Sequence, residues 1–264
     1  VVEETPLAAV RQAVALAQAS GAHLRLVLAV QHFKAPYTPF MGSLSKSIAA
    51  EVNQKADAQG SDIRNAAEAL AGAASISVEI EVVAGPFAEV AERAANVARA
   101  SDLVIVDQQH GALDTAEMLI EEALFRTGRP VMIVSPKKPP VERIRKLMVG
   151  WDGSAHAVRA VSDAIFVFDD IDSIEIVTVG GEKDLSSALP AADFARHLAR
   201  HGINAVLTEV DGTGRRVAKV LDDLALEHDV DLVVSGAFGH SRLREFLLGG
   251  VTVDAVFGDV EHTV

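Results

Sequence analysis

Helical and strand-like segments alternate along the whole chain, which predicts an α/β fold of two similar halves, each a parallel five-stranded sheet sandwiched by helices. Three observations carry that expectation. Short apolar runs such as Val104-Ile105-Val106 and Leu232-Val233-Val234 are strand-like and stand between amphipathic helical stretches. Ala100-Ser101-Asp102-Leu103-Val104-Ile105-Val106-Asp107 overlays Asp229-Val230-Asp231-Leu232-Val233-Val234-Ser235-Gly236, so the pattern repeats at domain length rather than at the length of a solenoid unit. Between the copies, Ser135-Pro136-Lys137-Lys138-Pro139-Pro140 forbids a continuing helix and offers no core residue. The predicted domains are therefore residues 1–139 and 140–264.

In chain order, Thr5-Pro6 is expected to cap and start a helix that carries Leu7, Val10, Val14 and Ala17 on one face and stops at Gly21. Leu24 to Val30 reads as a strand. His32 to Ser43 reads as a long loop with two prolines and the only tyrosine, Tyr37. A helix, a strand at Val78 to Val83, the Gly85-Pro86 turn, another helix and the strand ending at Asp107 follow; Arg129 to Val134 is the last strand of this copy. The second copy runs through Lys146 to Gly150, Ile174 to Val179, Ala205 to Val210, the Gly212-Thr213-Gly214 turn and Asp231 to Val234. Both ends read as incomplete: Val1-Val2 stands where the second copy has a full first strand, and a counterpart of the Arg129 to Val134 strand is missing or barely begun before Val264.

Composition bounds the function. The chain has 264 residues, 49% of them apolar, no cysteine and a formal net charge of −13. Such acidity argues against a nucleic-acid backbone as partner, which needs a concentrated basic surface, but leaves room for a single nucleotide whose charge is met locally. Disulfides, thiolate catalysis and cysteine-ligated zinc are excluded. No apolar run reaches the roughly 18–20 residues of a membrane-spanning helix. The expectation is a cytoplasmic protein with no membrane partner.

The most informative stretch is residues 235–252. Gly236, Gly239 and Gly249 form G-x2-G-x9-G after the Asp231 to Val234 strand, and Leu243, Phe246 and Leu247 recur at helical spacing. Gly236 and Gly239 thus fall in a strand-to-helix turn. There, successive backbone N–H groups and a helix N-terminus supply partial positive charge, and glycine lets the main chain approach an anion closely. A phosphate cradle needs no lysine in such a turn. Upstream, Lys146-Leu147-Met148-Val149-Gly150-Trp151-Asp152-Gly153-Ser154 is an apolar strand ending in a turn and capping sequence.

These motifs together resemble the nucleotide-binding signature of the universal stress protein family, G-x2-G-x9-G followed by Ser or Thr. The resemblance is specific in residues 146–264 and rests on topology alone in residues 1–139. It implies a tandem of two universal stress protein domains with the Rossmann-like, adenine-nucleotide alpha-hydrolase-like fold, the first degenerate and the second holding ATP, or ADP or AMP. Phosphates would lie at Gly236, Gly239, His240, Gly249, Gly250, Val251 and Thr252, and the nucleoside at Asp152 and Val179. Gly250 occupies the hydroxyl position, which Thr252 would replace. Magnesium would accompany a triphosphate, held mainly by phosphate oxygens and water. Family members pair through their last strand, which implies pairing of the two halves within the chain, alongside a homodimer and an unidentified protein partner.

The first half differs where chemistry would occur. Asp107-Gln108-Gln109-His110-Gly111 replaces the glycine loop, and a carboxylate facing phosphate repels it; no triphosphate is expected there. His197 and His201 lie four apart on a predicted helix, without a third ligand, and are read as surface residues. Gly239-His240-Ser241 lacks the second glycine of a G-x-S-x-G elbow, and no Walker or dinucleotide motif is present. No residue must position an attacking water, so no catalytic residue and no protein-ligated metal is assigned. The reading is a nucleotide-dependent switch in a stress response with little or no turnover, the alternatives being a slow ATPase and a nucleotide-independent interaction module.

Overall fold

The computed structural model describes residues 7–35, 42–108, 115–180, 188–236 and 255–258. Its α/β class is the expected one, parallel strands flanked by helices. The N-terminal half contains α1 (Ala8–Ser20), β1 (Leu24–Gln31), α2 (Gly42–Ala73), β2 (Val78–Gly85), α3 (Phe87–Ala98), β3 (Val104–Asp107), α4 (Thr115–Arg126) and β4 (Val131–Val134). The C-terminal half contains β5 (Lys146–Gly150), α5 (Ala155–Val167), β6 (Ser173–Gly180), α6 (Ala191–Arg200), β7 (Asn204–Asp211), α7 (Val217–Glu227), β8 (Leu232–Gly236) and β9 (Ala255–Gly258).

Strands β1 and β2 form a two-stranded parallel sheet, and the other seven form one sheet in the order β3-β4-β9-β8-β5-β6-β7. The strands of the C-terminal half run parallel to one another in five adjacent positions. Helices on both faces bury β5, β6 and β8 twice over, which explains their near-continuous apolar runs. Leu147, Val149, Ile174, Ile176, Leu232 and Val234 join a core with Ala157, Ala160, Val161 and Ala164 of α5 and with Phe194 and Leu198 of α6. Met148, Val177 and Val233 point to the other face, against Ala218, Val220 and Leu221 of α7. The first core also takes in Ala8, Met132 and Val134, so one apolar layer crosses between the halves.

Two sequence expectations are corrected, and a third gains detail. The second copy does have a last strand: β9 pairs parallel with β8 and antiparallel with β4, in the register Val131↔Phe257, Met132↔Val256 and Ile133↔Ala255. Helix α1 opens at Ala8, with Leu7 as a cap that makes no side-chain hydrogen bond. Thr5 and Pro6 lie outside the described residues. The expected linker is tied down: Ser135 is buried and accepts the Lys138 N–H at 3.3 Å, while Gln12 of α1 clamps Val141, donating to its carbonyl at 2.7 Å and accepting its N–H at 2.9 Å. The segment joins β4 to β5 without a helix, and its buried polar groups find partners that fix the path. The long connection after β1 is anchored at its start, where Phe33 and Asn53 of α2 exchange two hydrogen bonds and His32 Nε2 lies 2.8 Å from Asp57 Oδ1.

Candidate functional site

Within the C-terminal half the strand order reverses between β5 and β8: the chain winds outward to β6 and β7, then returns across β5 to β8 and β9. In an open α/β sheet such a reversal leaves a crevice outside the carboxyl ends of the two central strands, because the connecting helices leave on opposite faces. Asp152 stands just past the end of β5 and Gly236 is the last residue of β8, so the fold brings these two expected site residues to one crevice.

The wall at Asp152 is a tight turn. Asp152 Oδ1 accepts the Ser154 N–H at 3.1 Å, and Ser154 Oγ caps α5 by accepting the Ala157 N–H at 3.2 Å. Gly153 adopts φ +69°, and a Cβ there would lie 2.5 Å from Ala188 Cβ and 2.7 Å from Leu189 N, so only glycine fits. Trp151 braces the turn from inside: its indole N–H donates to the Leu189 carbonyl at 3.0 Å and its ring stacks on Phe194 at 4.5 Å.

Gly236 closes the opposite wall by contact. A Cβ on it would sit 2.7 Å from Ala157 N and 2.8 Å from His156 C, backbone atoms of the first turn of α5. Glycine therefore lets the end of β8 abut the N-terminus of α5, whose partial positive charge faces the crevice mouth. Val179, the third expected residue inside the described structure, is the penultimate residue of β6 and is 9% exposed, packed in the α7-side core and against Gly212. Gly239, His240, Gly249, Gly250, Val251 and Thr252 lie outside the described residues.

The N-terminal half shows what replaces this arrangement. Asp107 ends β3 at the position that overlays Gly236, and α1 corresponds to α5. Asp107 turns back into the first turn of α1, where its Oδ1 accepts the Ala9 N–H at 2.7 Å across 98 residues of sequence. Burial pushes the Asp107 carboxyl above its ordinary pKa, and the Ala9 and Ala8 N–H groups and Arg11 oppose the rise. The sequence reading faced this carboxylate toward an incoming phosphate; the structure spends it as the cap that α1 lacks locally.

Sequence reasoning missed two further features. Glu175 is buried on β6, accepting from Thr208 Oγ1 at 2.5 Å and lying 2.8 Å from His228 Nδ1. Its signal was the single acidic residue in an otherwise apolar β6 centre. Trp151 carried only the signal of being the sole tryptophan beside a turn. His197 and His201 stack edge to face at 4.7 Å at the end of α6, and among the described residues no group of three metal-ligating side chains forms. Among the described residues no helix is long and apolar enough to cross a membrane.

The fold of the whole chain is similar to that of a universal stress protein from Archaeoglobus fulgidus DSM 4304, with a TM-score of 0.66 and 14% identity over 99% of this chain and 94% of that one. Looser likenesses are to a functionally unknown protein from Pseudomonas aeruginosa PAO1, with a TM-score of 0.46 and 13% identity over 92% of this chain and 94% of that one. No curated protein matches the sequence. The family model described as "Universal stress protein family" matches residues 143–256. Those residues begin just before β5 and end in β9, so the match spans the reversal crevice and both of its walls. The C-terminal half of the chain thus carries one domain of the universal stress protein family.

Proposed function

We propose that this domain binds an adenine nucleotide, ATP in the first instance, in the crevice between the ends of β5 and β8, and works as a nucleotide-dependent switch in a stress response with little or no turnover. The observation that carries the reading is the meeting of Asp152, the α5 N-terminus and Gly236 at the strand-order reversal. A carboxylate there suits hydroxyl groups of a ribose, which donate, and does not suit phosphate. The phosphates belong on the glycine side, at Gly236, Gly239, His240, Gly249, Gly250, Val251 and Thr252, with Val179 beneath the base. The chemistry of these groups fits a magnesium nucleotide: backbone donors for the phosphate oxygens and no protein carboxylate needed for the cation.

Asp152, Ser154 and Gly236 orient and hold in this reading, and none of them moves a proton. The buried Trp151 and Phe194 keep the Asp152 turn from shifting when a ligand enters. The two halves share a sheet, and a change at the crevice reaches β9 and β4 through β8. This is the route by which bound nucleotide would alter the contacts of the chain with a protein partner or a second copy.

Mass spectrometry of nucleotide released from freshly purified, denatured protein tests the reading, with titration of the stripped protein by ATP and magnesium. One ATP per chain is the expected result. Asp152→Ala should weaken the titrated affinity about tenfold, the loss of a hydrogen bond to a charged group. Neither released nor titratable nucleotide would overturn the proposal in favour of a nucleotide-independent interaction module, a reading favoured by Gly250 at the hydroxyl position. Stoichiometric ADP in place of ATP would identify a slow ATPase.

A further inference from the structure

Strand β7 ends the seven-stranded sheet, and among the described residues its only strand partner is β6. The Gly212 N–H donates to the Gly180 carbonyl at 3.0 Å, which fixes the direction of the ladder groups. By strand alternation the N–H and C=O groups of Val206, Thr208 and Val210 turn toward β6, and those of Ala205, Leu207 and Glu209 turn outward. Side chains alternate between the two helical faces. Ala205 packs on the α5 and α6 side and Val210 on the α7 side, so Leu207, Glu209 and Asp211 stand on the α6 face and Val206 on the α7 face.

Val206 is 50% exposed and Leu207 47%, so the middle of this edge is apolar on both faces. The corresponding strand of the N-terminal half is protected instead: Glu79 and Glu81 of β2 pair with Arg25 of β1, and charge along an edge resists strand addition. On β7 the charges lie only at the ends. Exposed Arg200 and His201 precede the strand, and exposed Glu209 and Asp211 close it. A strand basic at its start and acidic at its finish is complementary to an antiparallel copy of itself.

We propose that two copies of the chain pair antiparallel through β7, about a two-fold axis at Val206. That register sets Val206 against Val206 of the second copy on the α7 face, and Leu207 against Ala205 of the second copy on the α6 face. Ala205 and Leu207 carry outward ladder groups, so they form a hydrogen-bonded pair, while the two Val206 residues form a non-hydrogen-bonded one. The Glu209–Asp211 end of each copy then lies beside the Arg200–His201 end of the other, on the same face. An apolar peptide of another sequence would satisfy the ladder without meeting this order of charge. The pairing is independent of the proposed nucleotide site, because neither Asp152 nor Gly236 belongs to β7.

Sedimentation velocity of the intact chain, stripped of nucleotide, should show a species of twice 27.8 kDa that grows with protein concentration. Val206→Lys and Leu207→Lys load opposite faces of an exposed edge, and each should weaken the association about tenfold or more with Tm unchanged. The chain has no cysteine, so the thiol of Val206→Cys has only its own copy to meet. A non-hydrogen-bonded pair brings the two Cα atoms to about 4.5 Å, within disulfide reach, and mild oxidation should cross-link this variant. Val82→Cys, 46% exposed on β2, is the control for random collision and should cross-link far more slowly. Three results would each overturn the proposal: a 27.8 kDa species throughout the concentration series, a dimer indifferent to both lysines, or Val206→Cys cross-linking no faster than Val82→Cys.

Discussion

Asp107 and Gly236 end equivalent strands and meet equivalent helix starts, one by a carboxylate and the other by the absence of a side chain. Asp107→Ala strips the cap from α1 and should destabilise the protein by about 1 kcal/mol in urea denaturation. The pH dependence of that carboxyl has a definite sign. Its folded pKa is raised, so the folded state holds the proton more tightly than the unfolded state. The associated stability is present below the ordinary value of 3.8 and is lost as pH rises through the folded value. Measured against Asp107→Asn, the unfolding free energy of the unsubstituted protein should fall across that window and then level off; a difference that grows with pH would contradict the burial argument. Gly153→Ala meets both a left-handed φ and the backbone of Leu189, and should cost roughly 1–3 kcal/mol by thermal unfolding. Gly236 reads in sequence as a turn glycine, whereas the structure keeps it in β8 as that strand's last residue, where close approach rather than a turn requires it. Its contact with His156 and Ala157 was not legible, because nothing local states which helix will arrive there.

At the scale of elements, what the sequence disclosed follows from whether the cause was local. Strands β5, β6 and β8 announce themselves because burial on both faces demands nearly continuous apolar runs, which Glu175 interrupts in β6. Strand β9 did not, since Ala255-Val256-Phe257-Gly258 is four residues long and is a strand because β8 and β4 both offer it an edge. The α1 start was misplaced for the same reason: its cap lies on β3. The Gln12–Val141 clamp is likewise invisible in sequence, as glutamine in a helix ordinarily faces water. Gln12→Ala removes both hydrogen bonds of a fully buried side chain and should cost about 2 kcal/mol. The same variant should speed proteolysis at residues 136–140, which limited digestion would reveal.

For the whole molecule the decisive joint is β4 against β9, three residues of antiparallel register that turn two half-sheets into one of seven strands. Around it, Ala8, Met132, Val134 and Ile144 pack into the same core as Leu147 and Trp151. Cutting the chain between Lys137 and Lys138 should therefore leave the fragments associated on gel filtration at micromolar protein, while a denaturing gel shows two bands. Immediate separation on the column would show that the joint depends on the covalent connection alone. The intact chain has that connection as well. Its two edge strands face each other at a tethered, millimolar-scale effective concentration, which no dilution lowers. The seven-stranded sheet is therefore the same object in a scarce protein and in an abundant one, and any ligand-driven change transmitted across it is independent of how much of the protein is present.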